Sequence, residues 1–378
     1  MMINTKRLAA TFTELCETDS PSRHEGAMAA RLKEIWTTLS PDKSLEDNST
    51  HRTGSESGNL FFRFNGTLDR EPIFFNCHMD TVEPGTGVRV KREGDLFTSA
   101  GDTILGSDDK SGIAALIEAM RSIREQNLSF RPVEFVFTTC EEIGLLGAKA
   151  LDPQNIRARF GYALDSSGSR RVIIGAPASN RLKIQVNGVA AHAGLHPERG
   201  INALILASRA LAQAPDGRID DDTTVNFGTI CGGVASNIVP ERVTIEGEVR
   251  SHSEEKLAEL TERIEKIFTA TIGDWQDPTG MSKGSPSVDF SAHLDFPLMQ
   301  LAPESRVVRE VDLAAKSIGI ELAPVVAGGG SDANIFNGYG LDTAIIATGM
   351  TNVHSIREQV TLGDMVELTR LILALLTR

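Results

Sequence analysis

The sequence predicts an α/β domain interrupted by a smaller α+β domain. Three observations carry this reading. Helical apolar repeats alternate with short apolar runs in the first part of the chain. Near residue 178 the texture changes to strict polar–apolar alternation. Beyond about residue 300, helix and strand alternation returns. The expected boundaries are residues 1–177 and 296–378 for the interrupted domain and 178–295 for the insert.

Leu8, Phe12 and Leu15 recur at helical spacing after Asn4 and Thr5, either of which can cap a helix. Met28, Leu32, Ile35 and Leu39 repeat the pattern. Residues 59–64 and 72–80 read as strands separated by Asn65-Gly66 turn material, and Ile73-Phe74-Phe75 is apolar on both faces, as in a covered central strand. A helix through Ile113, Leu116, Met120 and Ile123 is followed by strands at 133–139 and 160–165. Within the insert, 181–188 and 243–250 alternate as half-exposed antiparallel strands do, accompanied by amphipathic helices around 201–211 and 257–268. A helix near 307–318, an apolar strand at 343–348 and a helix through Met365, Leu368, Ile372 and Leu375 close the chain.

Composition narrows the function classes. The 51 acidic residues outnumber 38 basic ones, giving a formal net charge of −13. That balance disfavours both nucleic acid and anionic membrane surfaces as partners. Cys16, Cys77, Cys140 and Cys231 are widely separated and form no C-x-x-C pair, so they are expected as reduced thiols. The N-terminal segment MMINTKRLAATFTELCE lacks an apolar core of the kind a secretory leader carries, and a cytoplasmic location is expected.

Chemistry gathers where strands end. His78-Met79-Asp80 closes an apolar strand, and side chains two apart on a strand share a face. A metal-binding histidine steadied by an acid has this form. Asp108 and Asp109 lie at a helix start, where acids also serve as caps. Glu141-Glu142 follows the 133–139 strand, Asp165 ends the next, and His354 follows the last. Ligands of open α/β sheets gather at the carboxyl ends of strands. His78, an acid of the Asp108-Asp109 pair, one of the Glu141-Glu142 pair, Asp165 and His354 form a mixed nitrogen and oxygen set suited to zinc, with manganese or cobalt as alternatives.

With those residues in place, the chain resembles the co-catalytic zinc peptidase family that contains peptidase T, aminoacylases and carboxypeptidase G, and most of all its peptidase T-like branch. The resemblance is carried by HMD at 78–80, GSDDKSG at 106–112, Glu141-Glu142, YALDSSG at 162–168, GVAAHAGLHPERGINA at 188–203, GGGSDAN at 328–334 and the segment around His354. It implies a mixed-sheet catalytic domain with helices on both faces and an inserted domain serving as lid and dimerisation module. Two divalent cations are implied, with Asp108 bridging them, His78 and Asp165 completing one site, and Glu142 and His354 the other. Glu141 would be the general base that activates a metal-bridging water, and Asp80 would orient His78. His192, Asn237 and Arg250 would handle the substrate, with His192 reaching the active site of the partner subunit of a homodimer. Read without the family, His192 and Arg250 are ordinary sheet-surface residues. Ser355 stands where relatives commonly carry Thr. Cys77 and Cys140 are expected in the core, and His24, His51, His252 and His293 on the surface or in structural roles.

The leading expectation is an aminopeptidase of short peptides such as tripeptides. An N-acyl-amino-acid deacylase or a carboxypeptidase on the same scaffold is the alternative within hydrolases. A catalytically silent peptide- or metal-binding relative is the alternative outside them. The retention of Glu141 and Asp80 beside all five ligands argues against that last reading.

Overall fold

The computed structural model describes residues 2–378. The chain forms two compact units, Met1–Gly175 with Met299–Arg378, and Ala176–Leu298.

The first unit is built on a nine-stranded mixed sheet. Its order is Lys43–Glu46, Leu60–Phe64, Val133–Thr138, Ile73–His78, Phe160–Ala163, Asp342–Ile346, Arg171–Ala176 and Met299–Gln300, with Ala323–Val326 also pairing Arg171–Ala176. The four strands from Val133–Thr138 to Asp342–Ile346 run parallel, so their carboxyl ends open on one edge. Antiparallel pairs flank them.

Helices cover both faces because the central strands are apolar on both. Trp36, on the helix Gly26–Thr38, stacks on Phe62 at 5.4 Å and meets Phe135 at 4.4 Å between ring centroids. Such pairs contribute roughly 0.5–1.5 kcal/mol each beyond area burial. Phe61 and Val136 alternate with Phe62 and Phe135 and point to the other face. There they join Phe74, Leu151, Ile156 and Phe336 in a separate buried cluster.

Asn4, rather than Thr5, caps the first helix, Thr5–Cys16, by accepting the Arg7 N–H at 3.1 Å. A small sheet of Val90–Glu93, Leu96–Ser99 and Gln359–Thr361 has no counterpart in the sequence reading. Its first strand, Val-Lys-Arg-Glu, is short and charged and carries no apolar period.

The second unit is a five-stranded antiparallel sheet in the order Gly217–Asp220, Thr223–Gly232, Arg242–Ser251, Ala178–Asn187, Ser287–Phe296. Leu182, Ile184, Val186, Val243, Ile245 and Val249 point to one face. They bury against Leu206 and Ala207 of the helix Ala203–Leu211 and Ile264 and Phe268 of the helix Glu254–Gly273. Only two of the five strands were legible: the edge strands Gly217–Asp220 and Ser287–Phe296 are too polar to show an apolar face, and the interior strand Thr223–Gly232 exposes most of its second half. No helix among the described residues is long and apolar enough to cross a membrane.

Candidate metal centre

Strand register assembles the site. In the parallel pairing of Ile73–His78 with Val133–Thr138, His78 lies opposite Thr138. Asn76 lies opposite Ala163 of the neighbouring strand, so two further residues bring Asp165 level with His78. Beyond the strand end, the Thr348 N–H donates to Ser166 O at 3.0 Å and the Gly168 N–H to Met350 O at 2.8 Å. These bonds join the Asp165 loop to the chain leading to His354.

Asp108 stands in the first turn of Ser107–Glu125, where Asp108 and Asp109 depart from helical angles and their shared peptide is cis. The two acids separate. Asp108 meets both histidines, His78 Nε2 at 3.1 Å and His354 Nε2 at 3.2 Å. Asp109 is fully buried and packs with Cys77 around Gly112, where a Cβ would lie 2.6 Å from Asp109 Oδ1 and 2.9 Å from Cys77 Sγ. That crowding accounts for the glycine.

Ligand-type atoms of His78, Asp108 and Asp165 lie within 4.8 Å of one another, and so do those of Asp108, Glu142 and His354. The two groups share Asp108. His78, Glu141 and Glu142 form a third such group, which sets Glu141 beside both. His354 Nε2 also meets Glu142 Oε2 at 3.0 Å.

Electrostatics of this cluster follow from burial. Asp108 and Glu141 are 7% and 9% exposed. Burial pushes the Asp165 carboxyl up to about 8, with Asp108 adding to the effect and His78 opposing it. Burial likewise raises Glu142 against its His354 hydrogen bond, and holds Glu141 well above the usual carboxylate range against the pull of His78. For Asp108 burial opposes the charge, but hydrogen bonds from His354 and His78 prevail and keep it low. His354, bonded to Asp108 and Glu142, is pushed up to about 10. Asp108, Glu141, Glu142 and Asp165 thus outnumber the two imidazoles that balance them. Divalent cations stabilise such a setting, and the nitrogen and oxygen donors fit them.

Asp80 is fully buried and holds the next loop. His78 Nδ1 lies 3.0 Å from the Asp80 carbonyl oxygen and 3.6 Å from its carboxylate. That carboxylate accepts the Ser22 hydroxyl at 2.6 Å and the N–H groups of Glu141 and Glu142.

Three further residues escaped the sequence reading. Glu25, fully buried, accepts the Cys140 N–H at 2.9 Å. Cys140 is buried as expected, and it lies past the strand in a left-handed turn (φ 53°). Asp332, within GGGSDAN, accepts the Thr138 hydroxyl, and burial pushes its carboxyl up to about 6. Glu358 binds the turn that carries Asp108. Each acts on backbone or hydroxyl groups, which leave no spacing signal.

In the second unit, His192 bridges to Ile238, and the Ala193 N–H donates to Asn237 O at 2.9 Å, so His192 and Asn237 are neighbours. His192 Nδ1 accepts the Gly194 and Leu195 N–H groups at 3.2 Å each. In the neutral ring this leaves the proton on Nε2, a donor. Arg250 is engaged locally: its Nη2 donates to Glu248 at 3.0 Å, and its guanidinium lies over Phe296 at 5.8 Å.

Residues 174–276 match a peptidase dimerisation domain and residues 59–201 match peptidase family M28. The chain is 37% identical over 376 residues to the Bacillus subtilis protein YqjE, covering 99% of each. Aminopeptidase PepT from Bacillus cereus superposes with a TM-score of 0.88 at 35% identity, covering 100% of this chain and 99% of that one. A Staphylococcus aureus tripeptidase gives a TM-score of 0.91 at 31% identity with the same coverage. The chain belongs to the peptidase family that contains peptidase T and carboxypeptidase G, and peptidase T-like enzymes are among its relatives.

Proposed function

We propose that the protein is a two-metal aminopeptidase of short peptides, tripeptides above all. The observation that carries this reading is the pair of donor groups sharing Asp108, with Glu141 beside them. The aminopeptidase and tripeptidase relatives, similar over the whole chain, support the substrate class. His78, Asp108 and Asp165 would hold one cation, and Asp108, Glu142 and His354 the other. Zinc suits these donors, with cobalt or manganese as alternatives.

When bound, the two cations polarise the scissile carbonyl and lower the pKa of a water. Glu141 then takes the proton of the attacking water and delivers it to the departing amine nitrogen. Its backbone is fixed for this by Asp80. His192, through Nε2–H, donates to the oxyanion that forms on the substrate carbonyl, reaching the site from a second copy of the chain. Asn237 and Arg250 hold polar ends of the peptide, Arg250 after exchanging Glu248 for a substrate carboxylate. The match of residues 174–276 to a dimerisation domain supports a homodimer.

The test is digestion of a free tripeptide and its N-acetylated form by metal-replete protein, with products read by mass. Release of the first residue from the free peptide is expected. Cleavage of the blocked peptide alone would replace this reading with a deacylase, and release of the last residue would replace it with a carboxypeptidase.

A further inference from the structure

One carboxylate joins the turn that carries Asp108 to the loop that carries His354. Glu358 is 1% exposed. Its Oε2 accepts the N–H groups of Leu105 and Gly106, both at 2.8 Å. Its Oε1 accepts the Ser107 hydroxyl at 2.7 Å and the Asp108 N–H at 3.0 Å. Donors on four consecutive residues therefore converge on a side chain 250 positions beyond Asp108.

The other end of the connection is braced as well. Thr351 and Gln359 exchange backbone hydrogen bonds at 2.8 and 3.0 Å, closing a loop that contains His354. Inside it the Glu358 N–H donates to Ser355 O at 3.0 Å. The Ser355 hydroxyl donates to Asn352 O at 2.7 Å and accepts the Arg357 N–H at 3.2 Å. Gln359–Thr361 then pairs with Leu96–Ser99. His354 is thus held by a self-bonded loop whose base, Glu358, is anchored in the Asp108 turn.

A carboxylate on the amides of a helix start also stabilises any helix, with no bearing on function. Two features go beyond that role. Asp108 is itself one of the four donors, and the anchored loop presents the histidine whose Nε2 lies 3.2 Å from Asp108 Oδ2. We infer that Glu358 is a positioning residue: it holds the Asp108 turn and the His354 loop in one fixed relation, so that the group Asp108, Glu142 and His354 is preorganised for its cation. This inference rests on the two-metal reading. Gln in place of Glu358 would set an amide NH2 against donors, leaving buried N–H or O–H groups without an acceptor.

The test uses the full chain stripped of metal and titrated with Co2+, read by the visible absorption of the bound ion. Wild type, Glu358→Gln and Ser107→Ala are compared, with kcat and KM for a tripeptide measured alongside. Wild type should take up two equivalents. Folded Glu358→Gln should bind at least one of them about 10–100-fold more weakly, as loss of a partner behind the ligands does. Its spectrum should change, and its lost kcat should return with excess Co2+ at unchanged KM. A folded Glu358→Gln with wild-type affinities and spectrum overturns the inference, whatever its melting temperature. If that variant fails to fold, Ser107→Ala, which removes one donor and no backbone group, decides. Weaker Co2+ binding then supports the inference, and wild-type binding overturns it. Fewer than two equivalents in wild type would sink the two-metal reading itself, a failure distinct from that of the positioning role.

Discussion

The backbone N–H of Glu141 donates to Asp80 Oδ1 at 2.9 Å. The neighbouring Glu142 N–H reaches Asp80 Oδ2 at 3.2 Å, so one buried carboxylate holds consecutive residues with different proposed tasks. Since His78 Nδ1 lies nearer the Asp80 carbonyl oxygen, the Asp80 side chain matters as much to the glutamates as to the imidazole. Asp80→Asn, whose amide has one acceptor oxygen for these donors, should therefore lose activity about 10–100-fold. The loss should fall on kcat more than on KM, as steady-state kinetics on a tripeptide would show. Wild-type kcat would remove Asp80 from the working site.

Glu141→Gln keeps the side-chain volume and removes the proton acceptor. It should retain its metal, measured by elemental analysis, while kcat falls roughly 10²–10⁴-fold. Loss of metal in this variant would show that Glu141 is a ligand, contrary to the division of roles between Glu141 and Glu142.

Removal of metal should abolish turnover and leave a folded but less stable protein, because four carboxyl groups, those of Asp108 and Glu141 buried and those of Glu142 and Asp165 half-buried, then face one another with only two imidazoles. Readdition of Zn2+ should restore both properties. A ligand at about 100 times its Kd stabilises the folded state by about 2.7 kcal/mol, so the melting temperature should climb with Zn2+ concentration. Full activity in the presence of a strong chelator, with no metal detected, would contradict the proposed chemistry.

His192→Ala removes a ring whose Nδ1 is occupied by two backbone N–H groups and whose Nε2–H is the proposed oxyanion donor. Metal content and the proposed dimer, measured by light scattering, should be unchanged, and kcat should fall about 10²–10³-fold. An unchanged kcat would return His192 to the status of a surface histidine.

The α/β character and both covered faces of the main sheet were legible because Ile73-Phe74-Phe75 and the 133–139 run have the period and composition of central strands. His78 and Asp165 could be read for the same reason, since each lies at or just past the end of such a strand. Asp108 was less plain, because adjacent acids at a helix start look like caps until the fold separates Asp108 from Asp109. Glu358, Glu25 and Asp332 were not legible at all. They bond main-chain amides or hydroxyls far away in sequence, and no local pattern announces a partner 250 residues distant. The polar edge strand Ser287–Phe296 was missed on similar grounds, as it exposes most of its side chains and shows no buried face.

The most direct measurement is anomalous diffraction at the zinc absorption edge from crystals grown with Zn2+. Two peaks are expected: one among His78, Asp108 and Asp165, the other among Asp108, Glu142 and His354. A single peak, or peaks away from Asp108, would contradict the proposal that this aspartate joins a pair of cations.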